Sequence, residues 1–304
     1  MNRSGYIYIL FILAFVVIIM GFSYKGASDI SIKKTFTPTG IVGSEKPVKY
    51  FGVVSRYSPR EIYQGYQPIM DYLTETTSFR FELKLNDSYL GTAKQLSAGD
   101  ISIASLGTYI YLSYRDEYNL KVILKPLNEN GVGTNRLVFI AQLDSQIQSI
   151  HDIKNARLVL PSKESLTGQW MPTYIMQETG LKLSDFQEIH FASHHTTVAE
   201  LVFQNKYDVG IIKEPVSRLA IKKGLRIFHI APPIPTSPIV VSNKTDSTFV
   251  DEVVGALLKI NLKDDSMAMR ITSWDNELSN GFHQANNNDY LSAKALIDSM
   301  DFKK

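Results

Sequence analysis

ARLVLPSKESLTGQWMPTYIM, residues 156–176, decides how the rest of the chain is read. Its first five residues form a short apolar run that reads as a strand. Trp170-Met171 and Tyr174-Ile175-Met176 read as a helix. Between them lies Ser165-Leu166-Thr167-Gly168. Proline is at ease in a helix only within the first turn, so Pro172 places the helix start close to Gly168. A strand-to-helix turn with two hydroxyls and a glycine suits an anion. Free backbone N–H groups point outward, Ser165 and Thr167 add donors, and Gly168 lets a ligand approach. The same residues also make an ordinary N-cap followed by a glycine. The motif alone leaves both readings open.

The surroundings repeat the pattern. Strands are expected at 48–55, 79–85, 101–105 and 120–124, and helices at 59–76, 88–97 and 109–115. In the helix at 59–76, Ile62, Tyr66, Ile69 and Leu73 share one face. A second set follows, with strands at 136–142, 157–160, 188–191, 207–212 and 226–230 and helices at 169–179, 196–204 and 215–223. A strand at 238–242 and helices near 249–262 and 287–300 finish the chain. Repeated β-α-β units call for an α/β fold with mostly parallel sheets and helices on both faces. Two sets joined near 134–136 and again near 232–238 predict two Rossmann-like lobes with two crossover strands. Residues 48–135 with 236–304 make one lobe and residues 136–235 the other. Ligands of open α/β sheets bind beyond the carboxyl ends of strands. Three segments fall there: Ser55-Arg56-Tyr57, Ser105 to Tyr111, and Ser162 to Gly168. They make Tyr57, Ser105 and Thr108 candidate cleft residues beside Ser165, Thr167 and Gly168.

Composition narrows the function. The formal charge is +2, from 32 basic and 30 acidic residues, without the basic excess that nucleic-acid binding leaves. The absence of cysteine removes disulfides, Cys-ligated zinc and thiol catalysis. Tyr6 to Phe22 (YIYILFILAFVVIIMGF) is uncharged and follows Arg3. It is long for a cleaved signal peptide and just long enough for a membrane helix. Residues 1–24 therefore read as a membrane anchor or signal peptide and residues 25–47 as a polar linker. Either way the bulk of the chain is expected at the periplasmic or extracellular face of the cytoplasmic membrane.

Several segments, in order, resemble one family: Tyr66-Gln67-Pro68-Ile69-Met70-Asp71-Tyr72-Leu73; Gly99-Asp100-Ile101 with Leu106-Gly107-Thr108 and Tyr111; Ile150-His151-Asp152-Ile153-Lys154; Ser165-Leu166-Thr167-Gly168 with Pro172; Ser193-His194-His195 with Val198; Tyr207-Asp208-Val209-Gly210; and Ile234-Pro235 with Pro238. The chain from Val48 to Asn261 is similar to the phosphate/phosphite/phosphonate-type substrate-binding proteins of ABC transporters, whose fold is of the periplasmic binding protein type II kind. The resemblance implies two lobes closing on an oxyanion held by the Ser165–Gly168 loop, His194 and Tyr111, with Asp208 a further candidate. Hydroxyls, N–H groups and an imidazole suit such an ion without a formal counter-charge. This chain departs from the family pattern at four positions. Leu166 replaces a hydroxyl residue, Thr108 stands for proline and His195 for an acidic residue. Lys213 stands where a polar or acidic residue often helps recognise a ligand's amine. An amino-phosphonate then fits less well, and Lys213 either favours a more anionic ligand or faces solvent.

Other chemistry finds little support. Adjacent His194 and His195 point in different directions, whereas metal pairs on helices prefer spacings of three or four. His194 is read as a ligand contact or a helix-start cap. Asp208 and Glu214 also read as a strand-end polar residue and an acid placed by the helix dipole. No cofactor-binding or nucleophile motif is present. The expected function is capture of a small oxyanion for an ABC permease. The alternatives are a membrane-anchored domain that senses a ligand and signals to a partner protein, and an enzyme on the same fold.

Overall fold

The computed structural model describes residues 46–86, 88–260 and 262–299. The apolar run Tyr6 to Phe22 lies outside them. No helix among the described residues is long and apolar enough to cross a membrane.

Helix α1 (Pro59–Thr76) occupies the range its apolar spacing predicts. Ser58 caps it, Glu61 closes a capping box and Pro59 opens its first turn, three independent start signals in one short stretch. It buries Ile62, Tyr66, Ile69 and Leu73 against a sheet of six strands. These are β1 (Val48–Val53), β2 (Arg80–Leu85), β3 (Ile103–Ser105), β4 (Leu120–Pro126), β12 (Ile239–Ser242) and β13 (Phe282–Gln284), in the order β13-β4-β12-β3-β1-β2. Helices α2 (Tyr89–Ala98) and α3 (Thr108–Tyr114) connect them.

A second sheet runs β10-β6-β9-β7-β8. Its strands are β6 (Leu137–Gln142), β7 (Arg157–Leu160), β8 (Glu188–Phe191), β9 (Val209–Lys213) and β10 (Leu225–Ile230). Helices α4 (Leu166–Thr179), α5 (His195–Phe203) and α6 (Glu214–Lys222) link them. Between the two sheets the crossover segments β5 (Thr134–Asn135) and β11 (Ile234–Pro235) pair antiparallel as a ladder of their own.

Neither sheet is as parallel as β-α-β repetition suggests. In the first, β1 is parallel to β2 and β3, while β12 is antiparallel to both β3 and β4. In the second, β7 is parallel to β8 and β9, while β6 is antiparallel to β9 and β10. The reason is the double crossing. The strand that follows each crossover enters the new sheet from the opposite side and wedges between its third and fourth strands. The two sheets thus share one strand order.

Helix α4 begins at Leu166, two residues before the start that Pro172 suggests, so the proline sits in the second turn. The helix ends at Gly180, whose φ of 72° is the left-handed conformation glycine tolerates. Beyond β12, α7 (Ser247–Leu258), α8 (Asp265–Ile271) and α9 (Leu291–Ser299) complete the described chain. The stretch from α8 to β13 carried no expected element.

Candidate functional site

The carboxyl ends of β1, β3, β7 and β9 converge on a small cavity of about 20 Å³, room for little more than a water molecule. One side is formed by Val54, Arg56, Tyr89, Gly107 and Thr108, from the first sheet's loops. The other is formed by Ser165, Leu166, Thr167, His195 and Lys213, from the second. Ile234 and Ser237, from the second crossover, close it.

An ion-pair cluster borders the cavity. Arg56 Nη1 donates to Glu277 Oε2 and to Ser237 Oγ, both at 3.0 Å, and its Nη2 donates to Ser105 Oγ at 3.1 Å. Lys213 Nζ donates to the same Glu277 oxygen at 2.7 Å and to Ser237 Oγ at 3.0 Å. Tyr57 OH donates to Glu277 Oε1 at 3.1 Å, and the Glu277 N–H donates to Asp275 Oδ1 at 2.9 Å. Arg56 and Glu277 are each 3% exposed. A charge so deep is tolerable only when paired and fully hydrogen-bonded. Burial opposes the Glu277 charge, but Lys213 and Arg56 hold its carboxyl well below the usual carboxylate range. Burial and then the Glu277 charge push Asp275 up to about 6. Burial also pulls the Lys213 ammonium below its ordinary value, against the opposing effect of Glu277.

His195, 2% exposed, is held in one tautomer. The Lys213 backbone N–H donates to its Nδ1 at 3.2 Å, so the ring proton resides on Nε2. Burial, then the Lys213 charge, pulls its pKa down to about 3, so the ring is neutral at physiological pH.

The structure brings some of the expected residues to this cavity and not others. Ser165, Thr167 and Thr108 line it. The Ser165 hydroxyl is committed locally: it donates to Ser162 O at 2.7 Å and accepts from Gly168 N at 3.0 Å. That is the N-cap reading of the motif. Gly168 packs on backbone: a Cβ there would lie 2.3 Å from Ser162 O. Ser105 lies beneath Arg56, and Tyr57 lies on Glu277. His194 is displaced by its neighbour: its Nδ1 reaches Ser55 O on the first sheet at 3.1 Å, while His195 lines the cavity. Successive residues at a helix start diverge by about 100°, so adjacency alone does not tell which ring points inward.

Two of the expected residues stand away from this cavity. Tyr111 is buried, hydrogen-bonded to Asn287 and set edge-on to Tyr290, away from the cavity lining. Asp208 precedes β9, at the opposite end from Lys213, where it accepts bonds from Arg157 Nε at 3.1 Å and Nη2 at 2.6 Å. The uncharged site expected from hydroxyls and an imidazole is corrected: Arg56 and Lys213 both stand on the cavity wall. Arg56 lies within the strand-end segment quoted from sequence, which was its only signal. Ser237 lies inside the expected second crossover, and Glu277 and Asp275 had no signal, because no motif or expected element marks them.

Beyond Glu277 a wider groove of about 510 Å³ opens between α1 and α6, with Tyr57, Trp274 and Asp275 on its floor. Two further contacts tie the sheets together around the cavity. Tyr89 N donates to Glu164 Oε2 at 3.0 Å, and His194 meets Ser55 O. Among the described residues no group of three or more His, Asp or Glu side chains is arranged to hold a metal ion.

A family model described as the periplasmic phosphonate substrate-binding protein of ABC transporters matches residues 51–290. A probable ABC transporter phosphite-binding protein, PhnD1 of Prochlorococcus marinus, is 24% identical over 134 residues, which are 40% of this chain and 45% of that protein. The chain thus spans less than half the length of the curated relative it matches. Among solved structures, a binding-protein component of an ABC phosphonate transporter from Pseudomonas aeruginosa has a TM-score of 0.72 at 18% identity, covering 84% of this chain and 87% of that one. PhnD1 of P. marinus in complex with methylphosphonate has a TM-score of 0.72 at 17% identity, covering 84% and 98%. At these identities the structural likeness speaks for the fold, a mixed α/β periplasmic-binding-protein architecture. The family match spans both sheets and the crossovers between them, and by it this chain belongs to the periplasmic phosphonate substrate-binding protein family of ABC transporters.

Proposed function

We propose that the protein is an extracytoplasmic binding protein, without catalytic chemistry, that captures a small phosphonate-, phosphite- or phosphate-like oxyanion and hands it to an ABC permease. Residues 48–135 with 236–304 act as one lobe and residues 136–235 as the other, and the run from Tyr6 to Phe22 keeps the protein at the membrane. One observation carries the reading. The polar lining of the small cavity consists of hydrogen-bond donors, with Arg56, Lys213 and His195 facing hydroxyls at a helix start and no carboxylate among them. Such a wall suits an oxyanion. Thr167 and His195 Nε2–H are the neutral contacts, with the Thr108 hydroxyl turned to Pro235 O, and Arg56 and Lys213 supply charge. The methylphosphonate held by the P. marinus neighbour and the phosphite role of the curated relative support the ligand class.

A thermal-shift screen with phosphate, phosphite, methylphosphonate, sulfate, amino acids and metal ions tests it. A ligand at about 100 times its Kd adds about 2.7 kcal/mol to stability. For a domain of this size that raises the Tm by roughly 5–10 °C. A rise confined to metals or amino acids overturns the oxyanion reading.

A further inference from the structure

Lys213 does more than supply charge. It is the last residue of β9 and precedes α6. Its N–H fixes the His195 tautomer, and its ammonium crosses to Glu277 and Ser237 on the other side of the cleft. Together with Arg56 it puts two cations on the cavity wall. The carboxylates that balance them, Glu277 and Asp275, are not on that wall. Glu277 Oε2 is taken by Arg56, Lys213 and Ser237, Oε1 is taken by Tyr57, and the side chain is 1% exposed. A positively charged arm on a bound ligand would therefore meet the Lys213 ammonium and the Arg56 guanidinium with no carboxylate on the wall to receive it. Like charges in a site of low dielectric repel strongly, and a repulsive element of this kind discriminates between ligands that share a head group.

We infer that Lys213 is a specificity-determining residue that rejects oxyanions carrying an amine and reserves the site for amine-free ones. The inference rests on the oxyanion reading of this cavity.

Calorimetry on the full extracytoplasmic part of the protein tests it with three probes: methylphosphonate, n-propylphosphonate and 2-aminoethylphosphonate. The last two have arms of equal length and differ in charge, so their ratio separates charge from size. In the wild type, the aminoethyl compound is expected to bind at least about 100-fold more weakly than the propyl compound. Lys213→Gln should bring that ratio below about tenfold, and Lys213→Arg should preserve it. Lys213→Met, which removes the charge and keeps an unbranched apolar stem, should narrow it likewise, and it serves as the second variant where Lys213→Gln does not fold by circular dichroism. A wild-type ratio near one, or a ratio unchanged in folded Lys213→Gln, overturns the assignment while binding of methylphosphonate leaves the oxyanion reading intact. Absence of binding with all three probes overturns this inference, and the oxyanion reading is then decided by the phosphate and phosphite arms of the thermal-shift screen.

Discussion

Asp275 and Glu277 stand two residues apart and titrate in opposite directions. Burial and the Glu277 charge raise the first, whereas Lys213 and Arg56 hold down the second. The consequences for stability have opposite signs. A carboxyl whose folded pKa lies above its unfolded value costs nothing while protonated in both states. The cost grows as pH rises from the unfolded value through about 6 and is constant above. Glu277 contributes stability that is present above its unfolded value and is lost as pH falls. His195, a buried neutral base, also costs stability as pH falls below its ordinary value, because only the unfolded ring gains a proton. Comparing Asp275→Asn with the wild type isolates the first effect, since the amide oxygen still accepts the Glu277 N–H. The variant should be more stable than wild type at pH 7.5, and the advantage should vanish by about pH 4. Urea midpoints at four pH values measure it, and a difference that stays flat with pH excludes the mechanism. At this scale the site was half legible. Thr167 and Thr108 announced themselves by hydroxyl chemistry at strand ends. Arg56 pairs with a residue 221 positions away, and no local pattern foretells a partner so distant.

Helices differ in how openly they declare their ends. The chain around α1 states its start three times, in Ser58, Pro59 and Glu61, and the expected range matches the observed one. Helix α4 carries a misleading mark. Pro172 lies in its second turn, and the true start is set by the Ser165 hydroxyl on Gly168 N. Gly168 is required there for space. A Cβ would lie 2.3 Å from Ser162 O and 2.9 Å from Pro161 O, backbone atoms that cannot swing aside. Gly168→Ala should therefore destabilise the protein by about 1–3 kcal/mol and shift the helix start that faces the cavity. Chemical denaturation measures the loss, and a variant as stable as wild type would show that the turn relaxes freely. The stretch between α8 and β13 was silent because irregular backbone has no period to read, and it holds both carboxylates of the cluster.

At the scale of the molecule, the two sheets meet through side chains around the cavity and through the ladder of β5 and β11. Lys213 on Glu277 and Ser237, Arg218 on Glu129, Tyr89 on Glu164 and His194 on Ser55 are among the bonds that join the two sheets, and on the proposed two-lobe reading opening breaks them. Glu164 is the most separable of these, since it touches the α2 start and is absent from the cavity lining. Glu164→Ala should weaken ligand binding about tenfold, the worth of one hydrogen bond to a charged group. It should also speed dissociation and enlarge the radius of gyration of the ligand-free protein. Small-angle scattering and stopped-flow kinetics check both, and unchanged values would show that this contact does not hold the closed form. Repeated β-α-β units foretold two sheets. They foretold the strand that the first sheet borrows from beyond the second crossing, and not its antiparallel direction, because direction of entry is a property of the chain's path.

That borrowed strand has a consequence for the order in which the molecule is made. Among the described residues β4 pairs only with β12 and β13, both of which lie beyond the whole second sheet in sequence. A chain emerging from its amino end can finish the second sheet as soon as residue 230 appears, whereas the first sheet waits, with β4 unpartnered, until residues 239–242 arrive. The half begun first is completed last. Long-range pairing of this kind is slow to form, so the first sheet closes after the second, whose strands all lie within residues 137–230.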